Sequence, residues 1–161
     1  MTDTNRPIFL AADHISFTVA DLDAAIDFYS RVFGAQEMFR LGPLDADEIP
    51  KDDQGRDFME THIGIPGAKL TLVMMKLTEN LNLQFVQYDK PADRKRERPR
   101  HCDLGGHHLG LRVDDVEMAA RYLADNGCEV QQIIAIDDGP LAGKKNLYVR
   151  DPFGNSLEIV D

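Results

Sequence analysis

The chain has 161 residues, a formal net charge of −10 and 43% hydrophobic residues, which is enough apolar material for one ordinary domain or two small ones without covalent staples. Such acidity argues against nucleic acid and anionic membrane as partners. The two cysteines, Cys102 and Cys128, form no disulfide framework and suit a reducing, cytoplasmic setting.

The first residues, MTDTNRPIFLAADH, lack the basic start and long apolar run of a leader. No apolar stretch approaches the roughly 20 residues of a membrane span. Residues 14–20 alternate apolar and polar and predict a strand. Asp21 is placed to cap a helix whose period is carried by Leu22, Ala25, Ile26, Tyr29 and Phe33 and which Gly34 ends. Strands are expected near 35–41, 58–65, 69–77 and 81–88, with a polar, acidic loop over residues 42–57. The Pro- and charge-rich stretch 89–105 includes RKRERPR, Arg94 to Arg100. It reads as a solvated linker, with a clamp for an anionic substrate as the sharper alternative. Beyond it the pattern predicts a strand at 107–113, a helix at 115–126 ended by Gly127, and strands near 128–136, 145–150 and 156–160. Asp151 to Asn155 supply a tight turn before the last of these.

The chain repeats itself. An offset of 94 residues lays ADHISFTVADLDAAIDFY on GHHLGLRVDDVEMAARY, with His14 on His108, Asp21 on Asp115 and Ala25 on Ala119. An offset of 74 lays Leu83-Gln84-Phe85-Val86 on Leu157-Glu158-Ile159-Val160. The expected architecture is therefore α+β: two βαβββ modules whose curved mixed sheets pair around a shared cavity. The first module covers residues 1–90 and carries the loop 42–57, residues 91–105 are a charged linker, and the second module covers 106–161.

Strand alternation then sorts the faces. Ile15, Phe17 and Val19 oppose His14, Ser16 and Thr18; Leu83 and Phe85 oppose Asn82, Gln84 and Val86. In the second copy Leu109, Leu111 and Val113 oppose His108, Gly110 and Arg112, and Leu157 and Ile159 oppose Ser156 and Glu158. Each of the four strands thus holds one good metal ligand on its polar face. Two imidazoles, a carboxylate and an amide oxygen suit one divalent ion, with Ni²⁺, Co²⁺, Mn²⁺, Zn²⁺ and Fe²⁺ all compatible. Two coordination positions stay open for adjacent substrate oxygens, and the ion would act as a Lewis acid toward an enolate-like charge.

These motifs resemble the vicinal oxygen chelate superfamily, also called the glyoxalase/bleomycin resistance/dioxygenase superfamily. DHISFTVADLDAAIDFYSRVFG is similar to its opening strand and helix, GGHHLGLRVDD to the start of its second module, YVRDPFGNSLEIV to its closing hairpin, and LNLQFVQY to the segment holding its second ligand. The resemblance implies His14, Gln84, His108 and Glu158 as ligands, a set similar to that of methylmalonyl-CoA epimerases, whereas bacterial lactoylglutathione lyases usually have Glu in place of Gln84. It also implies a homodimer and a small-molecule substrate with adjacent oxygens, an anionic one included.

The leading functional reading is a metal-dependent lyase or isomerase with Glu158 as ligand and catalytic base, and with Arg112 and Tyr148 binding an anionic substrate group. An Fe(II)-dependent dioxygenase built on His14, His108 and Glu158, and a non-catalytic, resistance-type binding protein, are the alternatives. Glu60 and His62, on the strand expected at 58–65, are further acid/base candidates. Gln87 lies on the apolar parity of its strand, Glu79 precedes that strand, His107 has the wrong parity for a ligand, and Met74 and Met75 read as packing residues.

Overall fold

A computed structural model describes residues 7–161; the first six residues of the segment read above as leaderless lie outside it. The chain divides into two units, one ending at Pro91 and one running from Ala92 to Asp161.

In the first unit, strand β1 (His14–Thr18) leads into helix α1 (Leu22–Phe33). Asp21 caps the helix by accepting the Ala24 N–H at 3.0 Å, and Gly34 ends it in the left-handed conformation. Strands β2 (Gln36–Asp45), β3 (Lys69–Thr78) and β4 (Leu81–Lys90) complete a sheet ordered β1-β4-β3-β2, in which β1 and β4 are parallel and the other pairs antiparallel. Phe17, Val73, Met75, Leu83 and Phe85 are buried beneath Ala25, Phe28 and Tyr29 of α1, with the Tyr29 and Phe85 ring centroids 4.7 Å apart. Removing such side chains from water is worth about 1.5–3 kcal/mol each.

The strand expected at 58–65 is instead helix α2 (Phe58–Ile63). Asp57 caps it by accepting the Glu60 N–H at 2.8 Å and also takes the Gly67 N–H at 2.9 Å, while Gly64 closes its end. Glu60 and His62 therefore do not lie on a strand facing a cavity; His62 is exposed and stacks on Phe58. Met59 of α2 packs with Leu70 and Val86 on the sheet face opposite α1 and closes one end of that face. Strand β2 continues through residue 45, so the acidic loop begins only at Ala46. Where β2 slips register, between Leu41 and Leu44, Gly42 lies so close to β3 that a Cβ would meet the Leu70 carbonyl oxygen at 2.9 Å.

The second unit repeats the plan. Strand β5 (Leu109–Arg112), helix α3 (Val116–Asp125, capped by Asp115) and strands β6 (Glu129–Val130), β7 (Ile134–Ala135), β8 (Lys145–Arg150) and β9 (Ser156–Val160) give the order β5-β9-β8-β6, with β7 also on β8. The single strand expected at 128–136 is thus two short ones. The strand expected at 107–113 is shorter too, and His108 immediately precedes it. Leu109, Leu147, Val149, Leu157 and Ile159 form the buried face, covered by Val116 and Leu123 of α3. Both units are α+β with one mixed sheet each, and no helix among the described residues is long and apolar enough to cross a membrane.

Candidate metal centre

In both units the parallel pair, β1 with β4 and β5 with β9, meets in the same register. Ser16 lies beside Gln84 and Gly110 beside Glu158. His14 and His108 each sit two positions before the residue that faces the other candidate ligand, so side-chain alternation puts each histidine on the same sheet face as its partner.

In the first unit the His14 imidazole is held by its neighbour: Nδ1 lies 2.6 Å from Asp13 Oδ1. In the neutral imidazole, a proton on Nδ1 directed at Asp13 leaves the lone pair on Nε2, the arrangement a metal-binding imidazole needs. Gln84 lies opposite Met74, which in turn lies opposite Phe39, and the next row along the same face is Thr18, Val86, Leu72 and Leu41. Gln84 thus has apolar side chains on one flank, Met74 and the Val86 row, and polar ones on the other, with Ser16 beside it and His14, Asn82 and Lys76 in the preceding row. Gln87 points to the other face, where its Oε1 accepts the Leu22 N–H at 2.8 Å and caps α1. Glu79 lies in the turn between β3 and β4. Met75 is buried under α1, and Met74 is buried on the Gln84 face.

The second unit is polar at the equivalent positions. Glu158 lies opposite Tyr148 on β8. Its Oε1 accepts a hydrogen bond from Asn146 Nδ2 at 2.8 Å, and its Oε2 lies 3.1 Å from His108 Nε2. The Tyr148 ring stands edge-on to His108, with centroids 5.2 Å apart, and to His101, with centroids 4.9 Å apart. Burial first, and then the Glu158 charge, push the Tyr148 hydroxyl above its usual pKa, so it remains a hydrogen-bond donor at neutral pH. His107 turns away, with Nδ1 3.0 Å from the Gly105 carbonyl oxygen. Arg112 lies on the Glu158 face, one row further along β5.

Each unit taken by itself supplies two of the four expected ligands. Among the described residues, no group of three or more His, Cys, Asp or Glu side chains gathers as a metal cluster. The donor chemistry nonetheless fits a borderline divalent ion: a neutral His14 that donates from Nδ1 to Asp13 presents Nε2 as a ligand, and His108 Nε2 lies 3.1 Å from a Glu158 oxygen. Three participants were not foreseen. Asp13 was legible as the acid adjoining His14, and Asn146 as sharing parity with Tyr148. His101 lies in the aperiodic 91–105 stretch, where no pattern marks it.

A family model described as Glyoxalase/Bleomycin resistance protein/Dioxygenase superfamily matches residues 11–159. The chain is 35% identical to a 2-epi-5-epi-valiolone epimerase from Actinomyces sp, over all of this chain and 84% of that protein. This likeness ranks it with the isomerase-type enzymes of the superfamily. Its fold is similar to that of a glyoxalase family protein from Bacillus cereus, with a TM-score of 0.74, 15% identity and coverage of 98% of this chain and 97% of that one. It is also similar to the fosfomycin resistance protein FosX from Listeria monocytogenes, solved with Mn(II) and sulfate, with a TM-score of 0.55, 13% identity and coverage of 95% and 93%. The chain belongs to the Glyoxalase/Bleomycin resistance protein/Dioxygenase superfamily.

Proposed function

We propose that this chain is a metal-dependent epimerase of small hydroxy-carbonyl compounds, in which His14, Gln84, His108 and Glu158 together hold one divalent ion. The observation that carries the reading is Glu158: a half-buried carboxylate oriented by Asn146, close to an imidazole, on a strand whose register repeats that of His14 and Gln84. The name of the Actinomyces relative supports epimerisation in preference to lyase chemistry. A divalent ion bound there, with Ni²⁺, Co²⁺, Mn²⁺, Zn²⁺ or Fe²⁺ compatible, would act as a Lewis acid toward two adjacent substrate oxygens.

Glu158 serves as both ligand and proton acceptor. The C–H bond next to the substrate carbonyl breaks, its proton passes to a Glu158 oxygen, and the electron pair moves toward the carbonyl oxygen. The electron pair returns to the carbon as a proton from solvent adds to its opposite face, and Glu158 releases its proton to solvent, which completes the inversion and restores the carboxylate. The Asn146 amide keeps one carboxylate oxygen fixed while the other moves the proton, and the Tyr148 hydroxyl and Arg112 position the substrate. Each sheet taken by itself ends in edge strands, β1 and β2 in the first and β5 and β6 in the second, whose unpaired backbone groups suit pairing with a second copy and so support a homodimer. The free thiols of Cys102 and Cys128 suit a cytoplasmic enzyme.

The test is metal analysis of chelator-free protein, together with solvent deuterium exchange into dihydroxyacetone, a compound with adjacent oxygens. About one ion per chain is expected, with most of it lost in His14→Ala and in His108→Ala. A full metal complement in the double variant would reject the ligand set.

A further inference from the structure

Glycine inside a strand weakens it, and its usual reasons are a bulge, a bend, a backbone packed close by or a ligand that comes close. The described residues include all twelve glycines of the chain. Ten of them take a positive φ, which side chains rarely adopt. Gly106 is packed so tightly against the Arg100 carbonyl oxygen that a Cβ would clash. Gly110 alone has neither reason. Its φ is not positive, and beyond its chain neighbours a Cβ there would meet no atom within 4 Å. It lies inside β5, whose register with β9 runs without a slip from Leu109 to Arg112, so no bulge calls for it. Of the four reasons, a ligand remains.

The place of Gly110 says which part of a ligand. It pairs with Glu158 across the parallel strands and shares its sheet face. The other flank of Glu158 is filled: Asn146 on β8 binds Oε1 at 2.8 Å, and Tyr148 lies directly opposite. The bare flank is therefore the one on β5, the edge strand of this sheet. The first unit has no such gap, because Ser16 stands beside Gln84 at the repeat-related position. The missing side chain thus belongs to the proton-transferring half of the proposed reaction.

We propose that Gly110 is a specificity-determining residue, which rests on the epimerase reading above. An epimerisable carbon in a hydroxy-carbonyl compound carries a hydrogen, a carbonyl carbon, a hydroxyl oxygen and a further carbon group. Glu158 takes the hydrogen, and the two oxygens are the adjacent pair. The further carbon group lies over Gly110, in the space that a side chain would close. The substrate class is accordingly hydroxy-ketones substituted at the hydroxyl-bearing carbon.

The first experiment follows deuterium exchange at the hydroxyl-bearing carbon of hydroxyacetone and of acetoin, which adds one methyl there, in the metal-loaded full-length chain. The ratio of kcat/KM for acetoin to that for hydroxyacetone should fall about tenfold in Gly110→Ala and further in Gly110→Val, the effect of closing a methyl-sized space. Neither variant should lower Tm or metal content, since both residues suit a strand better than glycine does. The second experiment titrates acetoin into the Zn²⁺-loaded chain and follows the Leu111 and Glu158 amides by NMR. Saturable shifts are expected, weakened about tenfold in Gly110→Val. Exchange losses of equal size for the two compounds, or an unchanged ratio in Gly110→Val, overturn the assignment of Gly110 and leave the epimerase reading standing. Exchange into neither compound overturns the epimerase reading. Acetoin shifts that Gly110→Val weakens would then still uphold Gly110 as a binding determinant, and their absence would overturn that as well.

Discussion

The two units share a scaffold and differ in what they place on it. At the offset of 74, Leu72, Met74 and Gln84 of the first unit correspond to Asn146, Tyr148 and Glu158 of the second. The backbone register is the same in both: Met74 lies opposite Gln84, and Tyr148 opposite Glu158. Each histidine is retained and its neighbours have diverged: Leu72 and Met74 border the neutral Gln84 amide in the first unit, where Asn146 and Tyr148 border the Glu158 carboxylate in the second. Strand pairing depends on backbone groups and on the face packed beneath the helix, so the row on the opposite face can change without loss of fold. Under the proposed function this difference would assign proton chemistry to the second unit and leave the first unit to supply two ligands, His14 and Gln84.

The sharpest way to break this asymmetry is to exchange the paired ligands. Glu158→Gln makes the second unit resemble the first and should lower deuterium exchange by about 10²–10⁴-fold, the usual contribution of a positioned acid/base group. Gln84→Glu makes the first unit resemble the second and should retain activity with altered metal affinity. Equal losses in the two variants would remove the distinction. Dioxygen should matter to neither, and stoichiometric oxygen uptake with Fe²⁺ would move the whole assignment to dioxygenase chemistry.

The buried faces should respond alike, because there the units have not diverged in role. Phe85 and its repeat partner Ile159 are both buried, at 0% and 1% exposure. Phe85→Ala should cost about 3–5 kcal/mol and Ile159→Ala about 2–5 kcal/mol in urea unfolding. A smaller effect follows from Asn146→Leu, which installs the first unit's residue beside Glu158. Losing the bond that orients a metal-binding carboxylate should lower metal affinity or turnover about 10- to 100-fold while changing stability little. An unchanged turnover would show that Glu158 needs no orienting partner.

How much of this was legible in the sequence depends on the range of the signal. The two-residue alternation of His14 to Val19 and of Leu157 to Val160 sorted the faces correctly, because a strand buried on one side writes its period into every other residue. Helix α2 was missed because six residues hold less than two turns, too few for an apolar period. Its caps were the readable signal: Asp57 followed three residues later by Glu60, with Gly64 just past the end. The contact of His101 with Tyr148 joins residues 47 positions apart through a segment of no regular pattern, and nothing local encodes it. Asn146 could be placed on its face but not matched to Glu158, since parity gives a side and not a hydrogen bond.

The smallest expected effect concerns the insertion that only the first unit has. Asp57 accepts the Glu60 N–H and the Gly67 N–H, which tie both ends of the α2 segment to one carboxylate. These bonds, the Glu60 one first, hold its pKa below the ordinary carboxylate value. The native state therefore binds this proton less readily than the unfolded chain does. Its contribution to stability is fully present above the unfolded pKa of about 3.9 and is lost as pH falls through the lower folded value. Asp57→Asn keeps one acceptor oxygen for the cap but turns an amide N–H toward the Gly67 donor and removes the charge. Hydrogen exchange at the Glu60 and Gly67 amides should be faster in the variant at pH 7, after correction for intrinsic rates. In urea unfolding the stability gap between variant and parent should narrow as the pH falls below about 4. A gap that stays constant down to pH about 2 would mean that the carboxylate's charge is irrelevant and that shape alone holds the insertion in place.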